Sequence, residues 1–378
     1  MAHPKLSINK YFRKLKDPRI QRRKKHLLID IITMAICATI CNCNDWQQTV
    51  TFARCRHDWL KKFLRLPNGI PSHDTFERVF DRLDPVAFQA CFRDWMHALH
   101  AALGLSPIAI DGKTLRGSGV GGLKALHLVS AWATANGLSL GQVAVDQKSN
   151  EITAIPKLLE LLDVQGALVT IDAMGCQKEI AAKVVDRGGD YILTAKENQP
   201  NLSNDIRTCF EKAVENDFVG VNHDSYTTEE RGHGRKETRH YLIITDPQEM
   251  PSRADWKKLN VIGMCYRETE REGKLHKETS YFIGSRKAKA RVYGNALRGH
   301  WGIENKLHWQ LDVGFSEDMN RVSKRHGAEN LALVRRLALS LLLQHPGKGS
   351  IACKRVEAAL NPAFLEEVLL GDGNSGKI

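Results

Sequence analysis

Residues 108–118 read IAIDGKTLRGS, and the reading of this stretch decides the fold. Apolar, strand-forming residues run to an aspartate and are followed at once by Gly, Lys, Thr and Arg. Ile108 and Ile110 alternate with Ala109 and Asp111, so the stretch reads as a strand that ends on Asp111. A surface turn, a phosphate-binding loop or half of a metal site would each explain that ending. GKT has the look of a P-loop, but the glycine required five places before Gly112 is Pro107. Gly117, Gly119 and Gly122 form a formal GxGxxG. It follows a basic turn and opens no helix, so a flexible hairpin loop is the preferred reading over a dinucleotide site.

Working outward, ALHLVSAWAT and LSLGQVAVDQ are short apolar runs separated by glycine-rich turns, and they read as two further strands. ITAIPKLLELLDV places Ile155, Leu158, Leu159 and Leu162 at helical spacing. ALVTID is a fourth strand, CQKEIAAKVVDRG a helix ending at Gly188, and DYILTAK a fifth strand. Three consecutive strands imply an antiparallel meander, and the later crossovers imply parallel pairing. Residues 201–289 break the rhythm with hairpin-like stretches and read as a β-rich insertion. Residues 290–345 return to helix.

Residues 1–104 read as helical. Asp74 and Glu77 make a capping box ahead of Phe76, and a second helix starts after Asp84-Pro85. Ten Lys or Arg lie among the first 25 residues against one acid, Asp17, which fits either a solvated, partly disordered arm or a DNA-backbone contact. The run LLIDIITMAICATIC from Leu27 starts late, carries Asp30 and falls short of a membrane span of ~20 residues, so it reads as a core helix. Nine cysteines without a CxxC pair are neither a disulfide framework nor a zinc set, and fit a reducing compartment. The net charge of +12 favours a polyanionic partner, nucleic acid first. The tail after Gly371 is expected to be disordered.

Three carboxylates stand out. Asp111 ends the first strand, Asp172 ends the fourth, and carboxyl ends of strands are where α/β sheets build sites. Glu304 lies in the helix YGNALRGHWGIENKLHWQL (293–311), inside an apolar stripe of Leu297, Trp301, Leu307 and Leu311 with His300 and His308 alongside. A carboxylate there is costly to bury unless a cation compensates it. Each acid alone reads better as a turn or ion-pair residue. Together they match a site in which oxygen ligands hold two Mg²⁺ (or Mn²⁺) ions for phosphoryl transfer.

The chain resembles the H-repeat-associated branch of bacterial insertion-sequence DDE transposases. The resemblance rests on HLLIDIITMAICA, LPNGIPSHDTFERVF, IDGKTLRGS, DAMGCQK, GGDYILTAKENQ and HWGIENKLHWQLDV, and it covers nearly the whole chain. It implies an α/β fold with an RNase H-like mixed sheet and flanking helices. It also implies Asp111, Asp172 and Glu304 as the catalytic, metal-holding triad. Relatives often carry a Tyr, Arg and Lys around the third acid. This chain has His300 four residues before Glu304 and Leu311 seven after it, so His300 or Lys306 would contact the DNA end instead. Asp312 is the rival third acid, about 80° around the helix from Glu304 and off the stripe.

The implied organisation is a basic, DNA-end-binding helical domain at 1–104, a first catalytic part at 105–200 and the β-rich insertion at 201–289. A second catalytic part at 290–345 and a helical segment with tail at 346–378 follow. Gly112 would let the chain turn beside Asp111. Further DNA contacts are expected from Lys113 and Arg116 just past Asp111, and from Lys196, Asn198 and Gln199 after the fifth strand. The basic hairpin would add Arg231, His233, Arg235, Lys236 and Arg239. Expected partners are double-stranded DNA (terminal inverted repeats and target) and a second copy of the chain. No membrane or small-molecule substrate is expected, and the place of action is the bacterial cytoplasm. The alternatives are a metal-dependent nuclease of the same core that never joins ends, and a decayed DNA-binding relative.

Overall fold

The computed structural model describes residues 8–104, 106–119, 124–145, 151–232 and 234–370. The expectations for Gly122, His233 and the tail after Gly371 lie outside the described residues. The chain forms two compact units. One comprises residues 1–104, 112–148 and 303–378, the other 105–111 and 149–302.

In the first unit the helix Leu28–Ile40 is buried from Asp30 to Ile40, so the apolar run is core. No helix among the described residues is long and apolar enough to cross a membrane. Asp30 is tolerated inside because it accepts the backbone N–H of Leu66 at 2.9 Å. The long helix Gly327–Gln344 packs on it and on the helices His73–Arg82 and Pro85–Leu103. Each Leu-sized side chain buried there contributes roughly 1.5–3 kcal/mol. The expected capping box is absent: Ser72, whose side chain makes no capping hydrogen bond, is the N-cap of His73–Arg82, and Asp74 lies inside the first turn. Asp84 caps the next helix through the N–H groups of Val86 and Ala87, as the Asp-Pro pair implied. Residues 8–25 pack rather than trail. Phe12 is buried with its ring 5.5 Å from Phe88 and 6.2 Å from Trp95, while Arg13, Lys14 and Lys16 face outward. All nine thiols are free.

Strand β1 (Ile108–Leu115) belongs to both units. It runs four residues beyond Asp111, so the expected turn at Gly112 is absent and the chain stays extended there. The first unit holds the second half of β1 with β2 (Leu126–Ala133) and β3 (Leu138–Val145), an antiparallel pair. Gly117, from the formal GxGxxG, has a packing role: a Cβ would meet the carbonyl oxygens of Asn320 and Asp318 at 2.4 and 2.5 Å.

In the second unit the first half of β1 pairs in parallel with β4 (Leu168–Ile171), and β4 in parallel with β5 (Asp190–Ala195). The helices Glu151–Leu161 and Lys178–Asp186 make the crossovers. The β-rich segment is an antiparallel meander of β6 (His223–Gly232), β7 (Arg235–Thr245), β8 (Val261–Arg271) and β9 (Lys274–Gly284). It joins the sheet through β9 against β5. Ile192, Ile243, Val261 and Phe282 from the sheet bury against Ala290, Tyr293 and Ala296 of the helix Ala290–Ile303. The result is a mixed α/β architecture: an antiparallel start, parallel crossovers, then the antiparallel meander. This is the RNase H-like arrangement expected from the sequence.

Candidate active site

Asp111 and Asp172 sit in the second unit. Ile110 and Ile171 are register partners on neighbouring parallel strands, so the two aspartates are the next residue on each. Parallel neighbours run about 4.8 Å apart, so the register sets two carboxylate-bearing positions side by side where the pairing stops. Both are half-buried. Asp172 Oδ1 accepts the backbone N–H of Gly175 at 3.3 Å. Burial lifts the Asp172 carboxyl above its ordinary range, and the charge of Glu151 adds to the lift. The N–H groups of Gly175 and Met174 and the charge of Lys196 oppose it. A carboxylate so penalised in its charged form is suited to a cation. An all-oxygen donor pair fits a hard divalent ion such as Mg²⁺ or Mn²⁺.

The loop that follows Asp172 is tied to the loop after β5. Asn198 Nδ2 donates to the Ala173 carbonyl at 2.6 Å, and Gln199 Nε2 to the Cys176 carbonyl at 2.9 Å. These two residues therefore brace the Asp172 loop, while Lys196 is exposed beside it.

Glu304 opens a π-helical stretch, Glu304–His308, followed by a second, Gln310–Gly314. The expected apolar stripe is buried at Leu307 and Leu311 and half-buried at Leu297, but not at Trp301. Ile303, Leu307, His308 and Leu311 are buried, whereas Trp301 and Glu304 are exposed. Glu304 is thus not a buried charge, and the expected desolvation cost does not arise. Its Oε2 lies 3.6 Å from His308 Nδ1, one turn on. π-turns inside α-helices are frequent at functional sites.

Asp312, the rival acid, is committed elsewhere. Lys113 Nζ lies 2.5 Å from its Oδ1 and 3.4 Å from carboxylate oxygens of Glu317 and Asp318. Lys113 is buried, so it serves this carboxylate cluster rather than facing DNA phosphates. Arg116 remains exposed, 3.8 Å from Asp318. His300 also departs from expectation. It is half-buried in the second unit with Nδ1 3.0 Å from Thr170 Oγ1, and burial pushes its pKa down to about 4. A neutral imidazole engaged with Thr170 offers a DNA phosphate no positive charge. Arg239 is buried and paired with Glu237 and Glu230, whereas Arg231, Arg235, Lys236 and Lys306 are exposed. Sequence reasoning missed Thr170 and Glu151. The Glu304–His308 pair was visible as a spacing of four.

Comparison with known proteins gives the family. Residues 103–341 match the family described as the transposase DDE domain, and residues 9–96 match its associated family, DDE_Tnp_1-associated. This chain belongs to the DDE transposases. Its relatives place the transposase in the H-repeat-associated insertion-sequence branch. YncI of Escherichia coli O157:H7, by name a candidate transposase, is 41% identical over 96% of this chain and 94% of its own length. The H repeat-associated YhhI of Escherichia coli K12, named likewise, is 37% identical over 95% and 96%. A solved synaptic complex of piggyBac transposase with hairpin DNA covers 97% of this chain and 78% of its own at 9% identity. Its TM-score of 0.39 is too low to bear on the fold. Membership makes the transposase a DNA-acting polynucleotidyl transferase of a family that uses divalent metal.

Proposed function

We propose that this insertion-sequence transposase cuts DNA at the ends of its own element and joins the freed ends to target DNA, with Asp111, Asp172 and Glu304 as its catalytic acids. The observation that carries the reading is the pairing of Ile110 with Ile171, which sets two aspartates at adjacent strand positions. Glu304 is the third acid because it is exposed at the start of a π-turn, whereas Asp312 is bound to Lys113.

Two Mg²⁺ ions held by these carboxylates would polarise the scissile phosphate and increase the acidity of the attacking water. The rest follows from the residues. Asp111, Asp172 and Glu304 would hold the ions. Water displaces the 3′-oxygen at each element end, breaking one P–O bond and leaving a 3′-hydroxyl. That hydroxyl then attacks a target phosphodiester in line and forms the joined strand as a target 3′-oxygen leaves. No covalent protein–DNA intermediate is needed. Arg116, Lys196, Lys306 and the exposed meander residues Arg231, Arg235 and Lys236 are the DNA-backbone contacts in this reading. Residues 1–104 recognise the terminal inverted repeats. Two copies hold two ends together, and the protein works in the cytoplasm on the nucleoid.

The test is Asp111→Ala in a cleavage and strand-transfer assay on a duplex carrying the inverted repeat that flanks the gene. Cleavage and joining should vanish while end binding survives. A variant that cuts normally with unchanged metal dependence would remove Asp111 from the site.

A further inference from the structure

Two interactions bracket Glu304 along the chain, and each reaches a strand two residues from a catalytic aspartate. Four residues before Glu304, His300 Nδ1 lies 3.0 Å from Oγ1 of Thr170, the β4 residue two before Asp172. Eight residues after Glu304, Asp312 Oδ1 lies 2.5 Å from Nζ of Lys113, the β1 residue two after Asp111. Each interaction lies inside one compact unit. We propose that Lys113 and His300 are positioning residues of the transposase, pins that fix both ends of the π-helical segment bearing Glu304. The inference rests on the reading that Asp111, Asp172 and Glu304 form one site.

Three features support it. The segment between the pins is π-helical over Glu304–His308 and Gln310–Gly314, a geometry rarely kept without outside support. The Lys113 pin is built from buried charge. Its ammonium also lies 3.4 Å from Glu317, which is fully enclosed and held by Arg336 Nη1 at 2.9 Å. Apolar residues of similar volume usually stabilise a core as well as such a network does, so its value lies in fixing placement. The His300 pin ends on the hydroxyl of Thr170, a buried, β-branched side chain with little freedom to re-aim. Neither residue touches the reacting phosphate in this scheme. They act through the acids, as outer partners of a metal site do.

The experiment uses the full chain with Lys113→Met, Lys113→Arg and Thr170→Val. Binding to the inverted-repeat duplex, single-turnover cleavage and the Mg²⁺ concentration for half-maximal cleavage are measured beside thermal melts. Folded Lys113→Met and Thr170→Val should bind the duplex within about twofold of the parent. They should cut roughly 10–100-fold more slowly and need several-fold more Mg²⁺. Lys113→Arg should recover most of the rate. Cleavage and Mg²⁺ dependence within twofold of the parent in both variants would overturn the proposal. If only one variant folds, its result decides. If neither folds, the pins are purely structural and the proposal is overturned as well. Asp111→Ala in the same assay separates the layers: if it still cuts, the site reading itself has failed.

Discussion

Nδ1 of His300 lies 3.0 Å from Oγ1 of Thr170, 130 residues away in the chain. Burial, against the opposing pull of that contact, turns a histidine four residues before Glu304 into a neutral structural group, and it gives a pH signature. The folded-state pKa is depressed from 6.5 to about 4. Between those values the unfolded chain binds the proton and the folded chain does not, so stability is lost as pH falls through this window. Thermal melts at pH 7 and pH 5 should show a larger drop for the parent than for His300→Gln. The full effect is at most about 3 kcal/mol. Identical pH slopes in parent and variant would refute the neutral imidazole.

Asp172→Asn keeps the side chain's size and its acceptor for Gly175 while removing the charge. End binding should hold and cleavage should fall about a thousandfold or more, as for groups that act as a catalytic unit. Because burial disfavours the Asp172 carboxylate, the variant should be no less stable than the parent. A melt that drops by several degrees would contradict this.

The meander arginines divide by burial. Arg239→Met leaves the enclosed Glu237 with only the exposed Arg235, 3.9 Å away, as an ion partner and should destabilise by roughly 3–5 kcal/mol in urea titrations. Arg235→Ala, at an exposed position, should leave stability within about 0.5 kcal/mol. It should weaken DNA binding and lower the salt slope by about 0.9. An unchanged slope would exclude Arg235 as a phosphate contact.

Gly263 faces Phe282 across β8 and β9, and a Cβ would sit 1.9 Å from the ring. Gly263→Ala should cost about 1–3 kcal/mol or more by overpacking. A melt within a degree of the parent would show that the ring can move aside.

Much of the fold was legible because its signals are local. Alternation in IAIDGKTL, helical spacing in ITAIPKLLELL and the glycine after VVDR each report on neighbours a few residues away. Where a signal was local but weak, it slipped. The cap moved from Asp74 to Ser72, and β1 ran on through Gly112 because a glycine permits a turn without requiring one.

The candidate acids were legible for the same reason, since Asp111 and Asp172 interrupt apolar runs that predict buried strands. What the other polar residues do was not. Lys113 and Arg239 look like basic surface residues, and His300 looks like a DNA contact, until their partners are known. Asp312 is 199 residues from Lys113. The sequence by itself determined the order of elements and which carboxylates stand out, because backbone periodicity and burial preference are written residue by residue. Only the tertiary structure decided which charges are already neutralised and which face Glu304 presents. Ion pairing across the chain and the exposure of Trp301 and Glu304 within an apolar stripe depend on packing that no local pattern encodes.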